Sequence, residues 1–157
     1  MRVDEPWAET KQIRYRGGLV VFAIPKCWHE EYEPEGGGTF YELGDDTGTL
    51  QLNVITAEPP RPIKSAHEIL LAMQGESGES LENGNAWISG ISRTIEGGQS
   101  ISVFWWRIGS VCTPEKVRVA SFTYTGLSAD ETSLRTMSDL AHLEQSICKA
   151  EFASAGA

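Results

Sequence analysis

The sequence predicts an α+β fold, a single antiparallel sheet of about six or seven strands flanked by helices in the order ββββ-α-βββ-α. Three observations predict it. Two runs of alternating apolar and polar residues are each folded back at a glycine pair, Gly17-Gly18 and Gly97-Gly98, as expected of hairpins whose turns need positive φ. Two Ser-x-x-Glu sequences, Ser65 to Glu68 and Ser128 to Glu131, have the spacing of a helix capping box. The stretch from Ser100 to Val111 carries apolar side chains on both faces of an extended backbone, which suits the middle of a sheet.

Taken in order, residues 1–10 read as a frayed lead-in with Trp7 as an anchor against the body. Residues 12–16 and 19–24 form the first hairpin, in a register that opposes Ile13 to Phe22 and Tyr15 to Val20 and puts Arg14 and Arg16 on the other face. Pro25 stops the second strand because it has no ladder donor. Residues 26–38 read as a long polar loop studded with acids, and residues 39–43 and 49–56 as strands joined by a turn at Gly44–Gly48. Pro59, Pro60 and Pro62 make a stiff crossover.

Ser65 then opens a helix with Ile69, Leu70 and Met73 as its apolar stripe and Gly75 as its end, and residues 76–80 are a linker of turn formers. Residues 85–96, 100–111 and 117–125 are three antiparallel strands. Pairing across Gly97-Gly98 sets Trp87 opposite Ile108, Ser89 opposite Trp106 and Ile91 opposite Phe104, and the next register puts Trp106 beside Phe122 and Phe104 beside Tyr124. A long helix from Ser128 to about Phe152 carries Leu134, Met137, Leu140, Ala141, Ile147 and Cys148 as one broad stripe to be buried. Residues 153–157 read as a frayed tail.

At 157 residues the chain suits one domain over its whole length. Hydrophobic residues at 40% with 22% charged put it outside the composition of disorder. A net charge of −9 repels phosphates and anionic headgroups and favours a basic protein partner. Arg14, Arg16, Arg61, Arg93, Arg107, Arg118 and Arg135 are scattered among more numerous acids, so no nucleic-acid surface is expected. Cys27, Cys112 and Cys148 are far apart and odd in number, the usage of free thiols in a reducing compartment. With no apolar leader region in residues 1–18 and no run of about 20 apolar residues, the expectation is a cytoplasmic protein without membrane insertion. Oligomeric state stays open.

The registers divide the long aromatic strand. Phe104, Trp106 and Ile108 join the apolar face that can accept the terminal helix. The other face holds Ile88, Gly90, Ser92 and Thr94, then Ile101, Val103, Trp105 and Arg107, then Val119, Ser121, Thr123 and Thr125. It is mixed, with Trp105 laid over Gly90. If the first helix and the acidic loop leave it uncovered, Trp105, Arg107, Ser92, Thr94, Ser121 and Thr123 are the candidate partner-binding residues, because aromatics and Arg are enriched at interface hot spots.

Signatures of catalysis are missing. The chain has no H-E-x-x-H, no phosphate-cradling glycine loop and no dinucleotide fingerprint, and no cofactor is expected. The Asp45-Asp46 turn lacks the alternating ligands of a calcium loop, and no metal is expected. His67 and His142 read as solvated helix residues. Cys27 and His29, beside Glu30 and Glu31, are the one cluster in which thiol, imidazole and carboxylate occur together, and they define the alternative of an enzyme.

Phe22-Ala-Ile-Pro-Lys-Cys-Trp28 at the end of the second strand, within this order of elements, resembles the PsbP/DcrB-like superfamily, which includes the Ran-binding Mog-type proteins. Phe22, Ile24, Pro25 and Trp28 match its aromatic-x-(Leu/Ile)-Pro-x-x-Trp stretch, with Cys27 where Gly is common. The resemblance covers residues 11–152. It implies an antiparallel sheet between helices and a non-enzymatic role through protein contacts, as in a photosystem extrinsic subunit, a nuclear-transport GTPase binder, envelope lipoproteins and chaperones for type VI secretion effectors. No lipobox cysteine lies near the start. The expected function is a protein-binding adaptor, in specific form a chaperone or immunity-like protein for a secreted effector. A small-molecule carrier using the mixed face is a further alternative.

Overall fold

The computed structural model describes residues 5–44 and 48–153. The chain runs through strands β1 (Thr10–Tyr15), β2 (Val20–Pro25), β3 (His29–Tyr32), β4 (Gly38–Tyr41) and β5 (Thr49–Ala57), then helix α1 (Ala66–Gln74). Strands β6 (Glu79–Ser80), β7 (Ala86–Glu96), β8 (Gln99–Thr113) and β9 (Lys116–Leu127) follow, then helix α2 (Leu134–Cys148) and a short strand β10 (Glu151–Phe152). The class is α+β as expected, but the strands form two antiparallel sheets, ordered β1-β2-β10 and β3-β4-β5-β9-β8-β7-β6. The division falls at Pro25. The chain turns there, with the Trp28 amide donating back to the Pro25 carbonyl, and the second edge of β2 is taken by β10.

The expected registers are those observed. Ile13 faces Phe22 and Tyr15 faces Val20, Trp87, Ser89 and Ile91 face Ile108, Trp106 and Phe104, and Trp106 and Phe104 face Phe122 and Tyr124. A slip of one residue would exchange the faces of a strand, and among slips of two the glycine-pair turns and the alignment of the aromatics select the observed registers. The face carrying Trp106, Ile108, Phe122 and Tyr124 receives both the small sheet and α2. Phe22 meets Phe40 and Phe122 edge-on at 5.5 and 5.2 Å, and Leu143 and Ile147 of α2 are fully buried. Each such side chain contributes roughly 1.5–3 kcal/mol.

Helix α1 forms as its sequence demands. The Ser65–Glu68 capping box is complete, and Gly75 closes the helix in the left-handed region at φ 77°. It covers one end of the opposite sheet face, burying Ala66, Ile69 and Leu70 against Ala86, Val117 and Val119. Met73 is exposed rather than part of the buried stripe. Gly109 permits the approach, since a Cβ there would lie 3.1 Å from the Ala66 carbonyl oxygen.

Several expectations are corrected. The polar stretch after Pro25 contains β3, an edge strand whose four side chains are all exposed, so no apolar alternation betrays it. It is held by Lys11 Nζ at 2.8 Å from Glu30 and by the Tyr32 hydroxyl donating to Glu30. Residues 76–80 likewise include β6. The terminal helix starts at Leu134, where Ser133 Oγ accepts from the Thr136 amide at 3.1 Å.

Ser128 and Glu131 make no capping box. Residues Ser128–Asp130 form a 3-10 turn, the Ser128 hydroxyl meets Ser100 and Ser102, and Glu131 pairs with Arg93. Helix α2 ends at Cys148 because Glu151 and Phe152 pair with β2. Its buried line is Asp139, Leu143 and Ile147, while Leu134 and Met137 are 71% and 54% exposed and Ala141 is exposed too. The lead-in is not frayed at Glu5–Ala8, which form a 3-10 turn docked through Trp7. The expected fraying at 1–4 and 154–157 and the Asp45-Asp46-Thr47 part of the turn lie outside the described residues. No helix among the described residues is long and apolar enough to cross a membrane.

Candidate functional site

The second face of the large sheet is covered by α1 only at one end. Beyond that end the registers lay out rows across the strands. Asn53, Ser121, Arg107 and Ile88 form one, Gln51, Thr123, Trp105 and Gly90 the next, and Thr49, Thr125, Val103 and Ser92 a third. Gln51, Asn53, Ser92 and Thr94 are exposed, and Trp105, Arg107, Ser121 and Thr123 are half-buried. These side chains need only the period-two alternation of their strands to share a face. The result is a polar surface with one large aromatic near its centre.

Trp105 is fixed from two sides. Its indole lies across Gly90, where an added Cβ would collide with the ring, and the Arg107 guanidinium carbon stands 4.5 Å from the ring centroid. A guanidinium so placed is attracted by the quadrupole of the ring. The pair is therefore preorganised, with an apolar plate and five potential donors on one open patch.

Of the six candidate residues, Trp105, Arg107, Ser121 and Thr123 sit in two adjacent rows. Ser92 lies one row further out opposite Val103, and Thr94 lies opposite Ile101 towards the β7–β8 turn. Sequence reasoning did not single out Gln51 and Asn53, which extend the patch on β5. Their alternation with the buried Leu50 and Leu52 is the signal that could have found them. At the far margin, Tyr41 stacks on His29 at 5.7 Å, and partial burial with Glu31 nearby raises the Tyr41 phenol above its ordinary value.

Cys27 and His29 have different surroundings. Cys27 lines a cavity of about 550 Å³ with Glu5, Glu9, Lys26 and Glu42, whereas His29 packs on Tyr41. No group of three or more His, Cys, Asp or Glu among the described residues is arranged to hold a metal. All three cysteines are unpaired, and burial followed by the charge of Glu144 pushes the Cys148 thiol up to about 11. The other two histidines are more engaged than solvated residues. His67 bonds the Ser77 carbonyl and Ser80 hydroxyl, each at 2.6 Å, and His142 stacks on Trp7 at 5.0 Å.

A polar cluster is also buried on the core side. Asp139, 1% exposed, accepts from Trp7 Nε1 at 2.8 Å and from the Tyr124 hydroxyl at 2.7 Å. Arg135 lies 3.7 Å from Asp139 and pairs with Glu42. Burial, then the Asp139 charge, raises the Tyr124 phenol far above its usual range. The cluster joins the N-terminal turn, α2 and β9, and the position of Asp139 beside Leu140 on a helix gave no sign of it.

No family model matches the sequence, and no curated protein matches it. Solved structures do. One from Bacteroides thetaiotaomicron superimposes with a TM-score of 0.63 at 15% identity, over 95% of this chain and 50% of that one, so this chain spans about half its length. A mutant of the protein Mog1 gives 0.57 at 11% identity, over 94% of this chain and 97% of that one. LpqN, involved in cell envelope biogenesis of Mycobacterium tuberculosis, gives 0.59 at 11% identity, over 90% and 89%. At these identities the likeness is one of fold, and it is consistent with the Mog-type fold expected from the Phe22–Trp28 stretch and the order of elements.

Proposed function

We propose that this chain is a non-enzymatic protein-binding or adaptor domain spanning residues 1–157, with the open sheet face as its partner-binding surface. The observation that carries the reading is Trp105, half-buried on a face that α1 leaves uncovered and held in place by Gly90 and Arg107. A rigid aromatic beside an Arg is the composition of an interface hot spot. Ser121, Thr123, Ser92 and Thr94 supply hydroxyls around it. The Mog1 and LpqN likeness supports the fold on which the reading rests.

In its specific form the domain is a cytoplasmic chaperone or immunity-like protein for a secreted effector. The three unpaired thiols support that compartment, and the charge of −9 supports a basic partner. The test is affinity capture from lysate of the source cell with the intact protein and with Trp105→Ala. A partner held by this face should be weakened by about 2 kcal/mol or more, roughly thirtyfold, and be missing from the variant. If every co-purifying protein stays bound to Trp105→Ala, the face is not the binding surface.

A further inference from the structure

The seven-stranded sheet ends on a strand that is mostly unpaired. β6 pairs only with Ala86 and Trp87, so from Ile88 to Glu96 β7 has β8 on one side and, among the described residues, no strand on the other. Every second residue on such an edge aims its N–H and C=O outward, and residues 91–96 are all exposed. The other free edges are guarded in the usual ways, by brevity or charge. β3 has four residues including Glu30 and Glu31, β1 carries Lys11 and Arg14, and β10 has two residues. In contrast, the only charge on β7 before Glu96 is Arg93, and it is turned to Glu131 at 2.6 Å. Ile91 and Ile95 are 51% and 74% exposed.

Shaped surfaces flank this edge on both faces. On the core side Ser89, Phe104, Leu140, Ala141 and Glu144 line a recess of about 230 Å³. On the other side Trp105 lies across Gly90. A strand added to β7 would send its side chains alternately to these two sides. Charge selects the occupant. Glu144 at the recess is exposed and accepts from Trp106 Nε1, Glu79 and Glu96 stand at the two ends of the strand, and a second copy would bring its own charge of −9.

We propose that the β7 edge from Ile88 to Glu96 takes an extended basic segment of a partner protein as an added strand. Its Lys or Arg side chains lie on the core side, with their stems over the recess beside Phe104 and their charges at Glu144, and its apolar side chains lie on the side of Trp105. The proposal rests on the reading of the chain as a protein-binding module and states how its partner is held.

The test uses the intact protein and a fluorescent peptide of alternating Val and Lys, about ten residues long, followed by anisotropy and amide exchange. The peptide binds and slows exchange between Ile88 and Glu96. A matched peptide N-methylated at every second residue, a Val/Glu peptide and the Ile91→Lys protein each lose about tenfold or more in affinity. Binding of the N-methylated or Val/Glu peptide at equal strength overturns the proposal, as does absence of binding at millimolar peptide. So does sedimentation of the protein alone as a dimer that Ile91→Lys separates, which would give the edge to a second copy. Loss of peptide binding in Trp105→Ala without loss on N-methylation or in Ile91→Lys would sink strand addition and leave the face reading standing. The reverse pattern supports strand addition and counts against the face.

Discussion

Asp139 is a carboxylate closed off from water, and its two oxygens are each taken by a donor from another part of the chain, Trp7 and Tyr124. Breaking a buried polar network by removing one member leaves the others desolvated and unpaired. Asp139→Ala should therefore cost on the order of 3 kcal/mol in urea unfolding. Asp139→Asn, which keeps one acceptor, should cost less. Equal stability of Asp139→Ala and wild type would mean that the cluster does not hold the N-terminal turn. The contrast with Trp105 is instructive at this scale. Both residues sit among polar neighbours, but Asp139 is shut in by Trp7 and α2, whereas Trp105 keeps part of its ring open.

At the scale of elements, the start of α2 decides which helix face reaches the core. With Ser133 as its cap, the line Asp139, Leu143 and Ile147 faces inward, and Leu134 and Met137 stay outside. Ser133→Ala should lower stability by about 1 kcal/mol, and Ser133→Asp should preserve it, because a carboxylate caps as well as a hydroxyl. Thermal unfolding followed by circular dichroism reads both. An unchanged midpoint in Ser133→Ala would place the functional cap elsewhere. The strands show the same dependence on their ends. β3 is a strand through its pairing with β4, with Lys11 and Tyr32 binding its Glu30, whereas among the described residues no strand pairs with the outer edge of β7 beyond Trp87.

For the whole molecule, three carboxylates, Glu30, Glu68 and Glu131, are shifted in one direction. Glu30 is kept below the ordinary range by Lys11, then by Tyr32, Glu68 by the Lys64 and Ser65 amides, and Glu131 by Arg93. A carboxyl whose folded value is lowered stabilises the protein above its unfolded value, near 4.5, and that stability is lost as pH falls through the folded value. The chain also carries a charge of −9 at neutral pH, and approach to its pI of about 4.8 relieves repulsion. The comparison that separates the two effects is wild type against Glu30→Gln. The wild type should be the more stable in urea at pH 7, and the difference should shrink as pH falls below 4.5 through the lowered folded value. A difference that persists in acid would show that the Glu30 contribution is not electrostatic.

Read alone, the sequence specified the α+β class, both glycine hairpins and the registers among β7, β8 and β9, because a period of two assigns the faces and the Gly97-Gly98 turn with the alignment of Phe104, Trp106, Phe122 and Tyr124 selects among the slips of two. It also determined α1 to the residue, since Ser65, Glu68 and Gly75 are local signals read within one turn. Trp105, Arg107, Ser121 and Thr123 could be assigned to one face for the same reason. Tertiary structure alone decided the rest. Whether that face is covered depends on where α1 docks, and whether Ser128 caps a helix or bonds Ser100 and Ser102 depends on a strand 26 or more residues away. The split into two sheets, the burial of Asp139 and the bare edge of β7 follow from which distant segments meet. Hydrogen bonds and packing between such segments leave no periodic trace in the chain, because each partner satisfies the other only after both have been brought together.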